Sequence, residues 1–428
     1  MLLNLTWIWF SWLIATTAAF MSGRGNLNAS LPFYTHHTIT SLALHRYNAN
    51  FFSPEMVVGA QRGNYLRDVC LLFPLGNKHT PRWKRGIYAS IANGMFDIQM
   101  NQLFAYPQFK FTAADIQAQG PQDHVDNPFR RNFTGQEVDP KTNMMLFIAS
   151  LPEPSAEWHA SLNSILNQLN DSMSFYRDHN LRSSLLALGQ ALHTLEDFYA
   201  HTNFMELAVM EVFRRNATLQ MQWNPNGTWT LDDLVFPFVG NGTQMPCAGH
   251  ALDICFPLTS GVISRQPRQL GIGLESIVEA MMAKHLTSFN SSNNALLKPF
   301  VQAMSDVQDE WVHEDSDVLD DPNLLLPSHA QLSKDSADQP LHEVAAQCAI
   351  EADISILDPV VKNYQAGTVD LVEIQRRLHV LMSHPFAIWL SPEFKCSQLV
   401  QLFVYTHPER IPFLSRERAM SATNRLVY

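Results

Sequence analysis

Residues 185–207 read LLALGQALHTLEDFYAHTNFMEL. Leu185, Leu186, Leu188, Leu192, Leu195, Phe198, Tyr199, Phe204, Met205 and Leu207 make this stretch apolar on most of its surface. A helix that is apolar nearly all round belongs inside a protein. Yet His193, Asp197 and His201 sit in it at i, i+4 and i+8. At 3.6 residues per turn that spacing sets three side chains on one stripe, each turned about 40° from the last. Ordinary core polar residues, each satisfied by a hydrogen bond, are one reading. A metal site is the sharper one, because a buried carboxylate without a cation costs several kcal/mol and a metal removes that cost while using the imidazoles. A continuous helix separates His193 from His201 by about 12 Å along its axis. One ion therefore cannot take all three ligands. Either Asp197 bridges two metals, or the helix breaks before His201.

Outward from this stretch the chain reads as all-α. Thr35 is placed to cap a helix starting at His36, and further helices are expected over 54–72, 86–103 and 155–176. The last is the cleanest amphipathic pattern, with Trp158, Leu162, Ile165, Leu166, Leu169, Met173 and Tyr176 on one face. Residues 107–141 form a polar, Pro- and Gly-bearing connection. Residues 214–260 are rich in Asn, Gly and Pro and read as a surface excursion. Helical runs resume at 274–286 and 294–307. The 228–239 stretch is the one fair strand candidate. An acidic linker over 306–340 then leads to a helical C-terminal extension, 341–428, with runs at 342–357, 369–382 and 397–404 separated by prolines.

The 428 residues hold 46% apolar and 16% charged side chains, enough for a sizeable core. A net charge of −11 excludes duplex nucleic acid as a partner held by a basic surface, but not a phosphate ester at a cationic metal. Residues 1–19 read as a signal peptide, an apolar run ending in small residues with Thr17 and Ala19 at the −3 and −1 positions. A signal anchor is the alternative, though the run is short for a span of about 20 residues. Asn28, Asn132, Asn170, Asn216, Asn226, Asn241 and Asn290 each open a glycosylation triplet, in keeping with a secreted protein. Of five cysteines, Cys247 and Cys255 flank a short loop and are expected to pair in an oxidising compartment. Cys348 and Cys396 could form a second bridge, leaving Cys70 free and buried.

Other ligand types lie in three places: His36 at a helix start, Asp68 ending GNYLRD (63–68), and His124 in GPQDHVDNP (120–128). Taken singly, His36 could cap a helix, Asp68 could pair with Arg67, and 123–127 could be an Asx-rich turn. Taken together, the central stretch resembles the signature helix of the HET-C family of fungal heterokaryon-incompatibility proteins. GNYLRD is similar to that family's G-N-[WY]-L-R-D motif and QDHVDNP to its E-H-I-D-N-P motif, in the same order. A more distant similarity runs to zinc-dependent phospholipases C and related single-strand nucleases. Their LG-x-A-x-H-x3-D signature matches 188–197, and their T-H-x-x-I helix is similar to 35–39. The resemblance covers roughly residues 19–304.

The resemblance implies a phospholipase C-like all-α bundle with long surface loops, holding one to three zinc ions. His36, His124, His193, Asp197 and His201 would be ligands, with Asp197 bridging. Asp68 would be a ligand and the general base. The phospholipases' N-terminal tryptophan ligand has no counterpart after Ala19, and no His-x3-Glu follows His201; Glu206 is the nearest carboxylate to stand in. The implied activity is hydrolysis of phosphate esters such as phospholipid head groups by a metal-bound hydroxide, with peripheral membrane contact. A non-catalytic secreted recognition protein on the same scaffold is the alternative, and a single-strand nuclease a further one.

Overall fold

The computed structural model describes residues 34–71, 80–100, 106–117, 123–125, 138–139, 144–145, 161–223, 245–247, 250–255, 258, 332, 334, 339–391 and 395–414. The protein is all-α. In chain order the helices are α1 (His36–Asn48), α2 (Pro54–Leu71), α3 (Arg82–Gln99), α4 (Ser161–Arg177), α5 (Leu181–His201), α6 (Phe204–Arg215), α7 (Ala217–Trp223), α8 (His342–Ala366), α9 (Val372–Leu381), α10 (Pro385–Ile388) and α11 (Cys396–Thr406). The strands among the described residues make two small antiparallel hairpins, β1 (Val138–Asp139) with β2 (Met144–Met145), and β3 (Met245–Cys247) with β4 (His250–Cys255).

The central helix, α5, is buried from Ser184 to Tyr199 on nearly every face and packs against α2, α4 and α8. Asn180 caps its start by accepting from the Ser183 amide. The helix is continuous through His201 and ends at Thr202, whose backbone is extended. The single helix expected over 185–207 is therefore two. Thr202 Oγ1 donates to the Phe198 carbonyl and accepts from the Phe204 amide, so a local side-chain bond competes with the helical ladder and restarts the chain as α6.

Two glycines set how close α2 and α5 lie. A Cβ at Gly63 would sit 2.1 Å from the Leu186 carbonyl oxygen, and one at Gly189 would sit 1.9 Å from the Ala60 carbonyl oxygen. Neither position admits a side chain, so the two backbones touch at reciprocal glycines, one in GNYLRD and one in LGQAL. This crossing brings Asp68 on α2 to His193 on α5. The helix α4 buries Leu162, Ile165, Leu166, Leu169 and Met173 on α5's other flank, at the i, i+3, i+4, i+7 spacing of one face.

The C-terminal helices belong to the same core. Val344, Ala345, Ile356, Val360 and Val400 join one apolar cluster with Leu188, Leu192 and Leu195. The α8 helix packs on both α1 and α5. It runs through Pro359, where prolines were expected to separate the helical runs. Proline strips the i−4 carbonyl of its amide partner; here that carbonyl, Ser355, accepts instead from Arg377 Nη1 at 2.7 Å. A disulfide joins Cys348 on α8 to Cys396 on α11, and Cys70 is free and buried.

The leader (1–19), Asn28, Asn132, Asn226, Asn241 and Asn290, the 228–239, 274–286 and 294–307 readings and most of 306–340 lie outside the described residues. Asn170 lies on α4, and Asn216 caps α7 while donating to the Tyr405 hydroxyl at 2.8 Å. Cys247 and Cys255 fall on the paired strands β3 and β4. Among the described residues no helix is long and apolar enough to cross a membrane.

Candidate metal centre

The candidate ligands arrive on three helices and a turn. Thr35 caps α1, accepting from the Thr38 amide, and so places His36 in the first turn. His193, Asp197 and His201 come from α5, Asp68 from the end of α2, and His124 from a turn. That turn is fixed by the motif GNYLRD: Arg67, 2% exposed, pairs with Asp123 at 3.1 Å. Ser164 also donates to Asp123 Oδ1 at 2.5 Å, and Thr194 to the Asp123 carbonyl at 2.8 Å. These ties hold Val125, fully buried, in the left-handed region at φ 56°, where a β-branched residue costs about 1–3 kcal/mol.

The ligand atoms converge on Asp197, whose two oxygens face opposite partners. His193 Nε2 lies 3.1 Å and His124 Nδ1 3.2 Å from Oδ2. His36 Nε2 lies 3.3 Å and His201 Nε2 3.5 Å from Oδ1. Asp68 Oδ1 is 3.3 Å from His193 Nε2. Among the described residues two groups have ligand atoms close enough for one ion: His36, His193 and Asp197, all buried, and Asp68, His124 and His193. His201 stands beside Asp197 but in neither group. Glu206 is in neither: its buried carboxylate pairs with Lys334 Nζ at 3.0 Å. That lysine also donates to the Thr202 and Leu332 carbonyls, setting a cation at the C-terminal end of α5.

The surrounding hydrogen bonds decide which imidazole nitrogen is available. Asn64 donates through Nδ2 to Glu196 Oε2 at 2.9 Å and to Thr40 Oγ1 at 2.8 Å, so its Oδ1 faces His193 Nδ1 at 3.1 Å. An amide oxygen only accepts, so Nδ1 carries the proton and Nε2 presents a lone pair. That lone pair looks at two carboxylate oxygens, an arrangement that repels unless a cation lies between. Burial pushes His193 down to about 3, with Asp197 only partly offsetting it and His36 and His124 adding to the fall. His193 is thus neutral, as a metal ligand must be. Asp197 Oδ2, buried, makes no hydrogen bond among the described residues despite its close nitrogens. This donor set fits a divalent, nitrogen- and oxygen-binding metal.

His36 differs. Its Nδ1 donates to Glu196 Oε2 at 2.7 Å, leaving Nε2 toward Asp197. Burial alone would lower its pKa, but Asp197 and Glu196 overcome that and raise it well above the imidazole range. For Asp197, burial alone would raise the carboxyl, but His193, His124 and His36 outweigh it and hold it well below the carboxylate range. Sequence reasoning missed Glu196 and Asn64. Each had a signal, an acid beside Asp197 in an apolar helix and a polar residue within GNYLRD, but the pairing across 132 residues did not show in spacing.

A family model described as heterokaryon incompatibility protein Het-C matches residues 52–266. That span holds Asp68, His124, His193, Asp197 and His201, while His36 precedes it and Lys334 follows it. The mouse (Mus musculus) von Willebrand factor A domain-containing protein 7 is 34% identical over 80 residues, 19% of this chain. The match spans 8% of that protein's length. No solved structure matches.

Proposed function

The chain belongs to the Het-C heterokaryon incompatibility family, and from that premise we propose that it is a secreted zinc protein whose paired site hydrolyses phosphate esters. One observation carries the reading. Both oxygens of a buried aspartate are flanked by imidazole nitrogens, and the far nitrogens of His36 and His193 are committed to Glu196 and Asn64. One imidazole nitrogen offers one lone pair, so His193 serves a single ion. His193, His124 and Asp68, beside Oδ2, would hold one ion, and Oδ1 with His36 would offer donors to a second, with His201 standing 3.5 Å from the same oxygen. Bound zinc would lower the pKa of a water from 15.7 to about 7 and neutralise charge on a phosphoryl group.

The chain's own residues do the rest. Asp68, whose side chain is 16% exposed against 3% for Asp197, is the ligand carboxylate nearer solvent. It orients the attacking water and takes its proton. Asn64 and Glu196 hold the imidazoles in the tautomers that present a lone pair. The Cys348–Cys396 disulfide supports an oxidising, extracellular setting. Phospholipid head groups are the substrate class that the resemblance favours, with contact to a membrane surface.

Elemental analysis of the purified protein beside Asp197→Asn tests this. Two zinc ions per chain, reduced in the variant, together with release of phosphorylated head group from phosphatidylcholine, are expected. No zinc in either sample would end the metal reading. Zinc without turnover of phosphatidylcholine or an oligonucleotide would favour a non-catalytic recognition protein. The pairing of Glu206 with Lys334 favours that second reading, because it removes a carboxylate from the ligand set.

A further inference from the structure

Between Asp68 and Asp97 the sequence holds no acidic residue and four cations, Lys78, Arg82, Lys84 and Arg85, in a chain whose net charge is −11. The last three fall in the first turn of α3, which begins just after Pro81. That placement is unfavourable on its own. A helix N-terminus already carries partial positive charge, and Arg82 and Arg85 stand three residues apart as like charges. No acid lies in that turn, and among the described residues Arg82 and Arg85 make no ion pair. Other exposed cations have one: Arg177 with Asp178 at 3.1 Å, Lys362 with Asp358 at 3.0 Å and Arg376 with Glu373 at 2.8 Å. In the same turn Trp83 is 63% exposed, the most exposed aromatic side chain among the described residues, and Lys84 Nζ lies 5.9 Å from its ring centre.

We propose that the first turn of α3 is a membrane-docking surface for an anionic phospholipid bilayer, with Arg82, Lys84 and Arg85 against the lipid phosphates and the Trp83 indole seated among the head groups. Uncompensated cations beside a bare indole fit this partner. The negative surface potential of the bilayer answers the charge. Its interface suits an indole, which is apolar but carries one N–H donor. A nucleic acid would meet the same cations, but a chain of net charge −11 repels a long polyanion. The turn is firmly mounted on the helix that carries Asp68: Arg62 on α2 pairs with Asp97 on α3, and the Tyr65 and Phe96 ring centres lie 5.4 Å apart. A docked α3 therefore holds α2 at the membrane. The inference rests on the membrane contact proposed above, to which it gives a surface and a lipid charge, and it does not rest on the metal.

Co-sedimentation of the full-length protein with vesicles, in chelator so that no turnover occurs, tests it. The vesicles are phosphatidylcholine alone or mixed with phosphatidylserine, and the mixed ones are expected to bind more tightly. Each cation removed should cost about fivefold, so Arg82→Gln with Arg85→Gln should bind about 25-fold more weakly. Trp83→Ala should also weaken binding. Raising salt from about 0.1 M to about 1 M shortens the screening length from about 10 Å to about 3 Å and should release the protein. No binding to the mixed vesicles, or equal binding by the double variant, overturns the proposal. So does equal binding to soluble heparin that survives Trp83→Ala, which would assign the turn to acidic polymers instead. Where the double variant fails to fold by circular dichroism, Arg82→Gln and Trp83→Ala, both at exposed positions, decide. With zinc restored, head-group release by a protein whose vesicle binding ignores these variants defeats the docking surface alone. Vesicle binding that the variants weaken, with no head-group release, defeats the enzyme reading and leaves the surface standing.

Discussion

At the scale of single residues, the centre is set by groups that bind nothing themselves. Asn64 fixes the proton of His193 at Nδ1, so Asn64→Leu should lower zinc affinity about ten- to a hundredfold, read by competition titration with a chromophoric chelator. Unchanged affinity would mean that the tautomer is set elsewhere. His36 gives a pH prediction. Its pKa is raised in the metal-free fold, so its contribution to stability is full below the unfolded imidazole value of about 6.5 and is lost as pH rises through the folded value. Metal-free protein should therefore weaken on mild alkalinisation, while zinc affinity rises because the imidazolium must give up its proton. Chemical denaturation with and without zinc across that range would show the two trends diverging. Lys334 and Glu206 form a buried pair. Lys334→Met alone leaves an uncompensated buried carboxylate and should destabilise by about 3–5 kcal/mol. Adding Glu206→Leu should recover much of that loss, and a double variant no better than the single would refute the pairing.

At the scale of elements, the site depends on how near two helices come. Gly63 and Gly189 let the α2 and α5 backbones touch, and the atoms that a Cβ would strike are backbone atoms that cannot rotate away. Gly189→Ala should cost about 3 kcal/mol or more, as the helices part. Zinc affinity should fall with it, since Asp68 and His193 sit on the two sides of the gap. Retained affinity with lowered stability would show that the ligands re-form after the shift. The same helices show what periodicity could and could not convey. The 3.6-residue pattern gave α4 and most of α5. It missed the break at Thr202 because Phe204, Met205 and Leu207 continue the apolar pattern, while the hydroxyl that ends the helix acts over only a few residues. It also placed a helix boundary near Pro359, because nothing nearby in sequence indicates that Arg377 will take the freed carbonyl.

At the scale of the molecule, α8 to α11 complete the core around the candidate metal centre. The Cys348–Cys396 bridge closes a loop of 48 residues, which by the chain-entropy account contributes about 4 kcal/mol. Cys348→Ala with Cys396→Ala should lower the denaturation midpoint accordingly. A change under about 1 kcal/mol would mean that packing alone holds α11. One apolar cluster includes both Leu192 and Val360, so the C-terminal helices are built into the fold that carries the candidate site.

By itself, the sequence determined the all-α class, the α1 cap at Thr35, the family and the ligand types on α5, because each is written in a local pattern: a period, a cap, a motif. The tertiary structure alone decided that Asp197 presents an oxygen to each side, that Arg67 grips Asp123, and that Glu206 belongs to Lys334. Those outcomes depend on which buried charges end up adjacent after distant helices pack. The cost of leaving a buried charge unpaired selects among partners that lie tens to hundreds of residues apart.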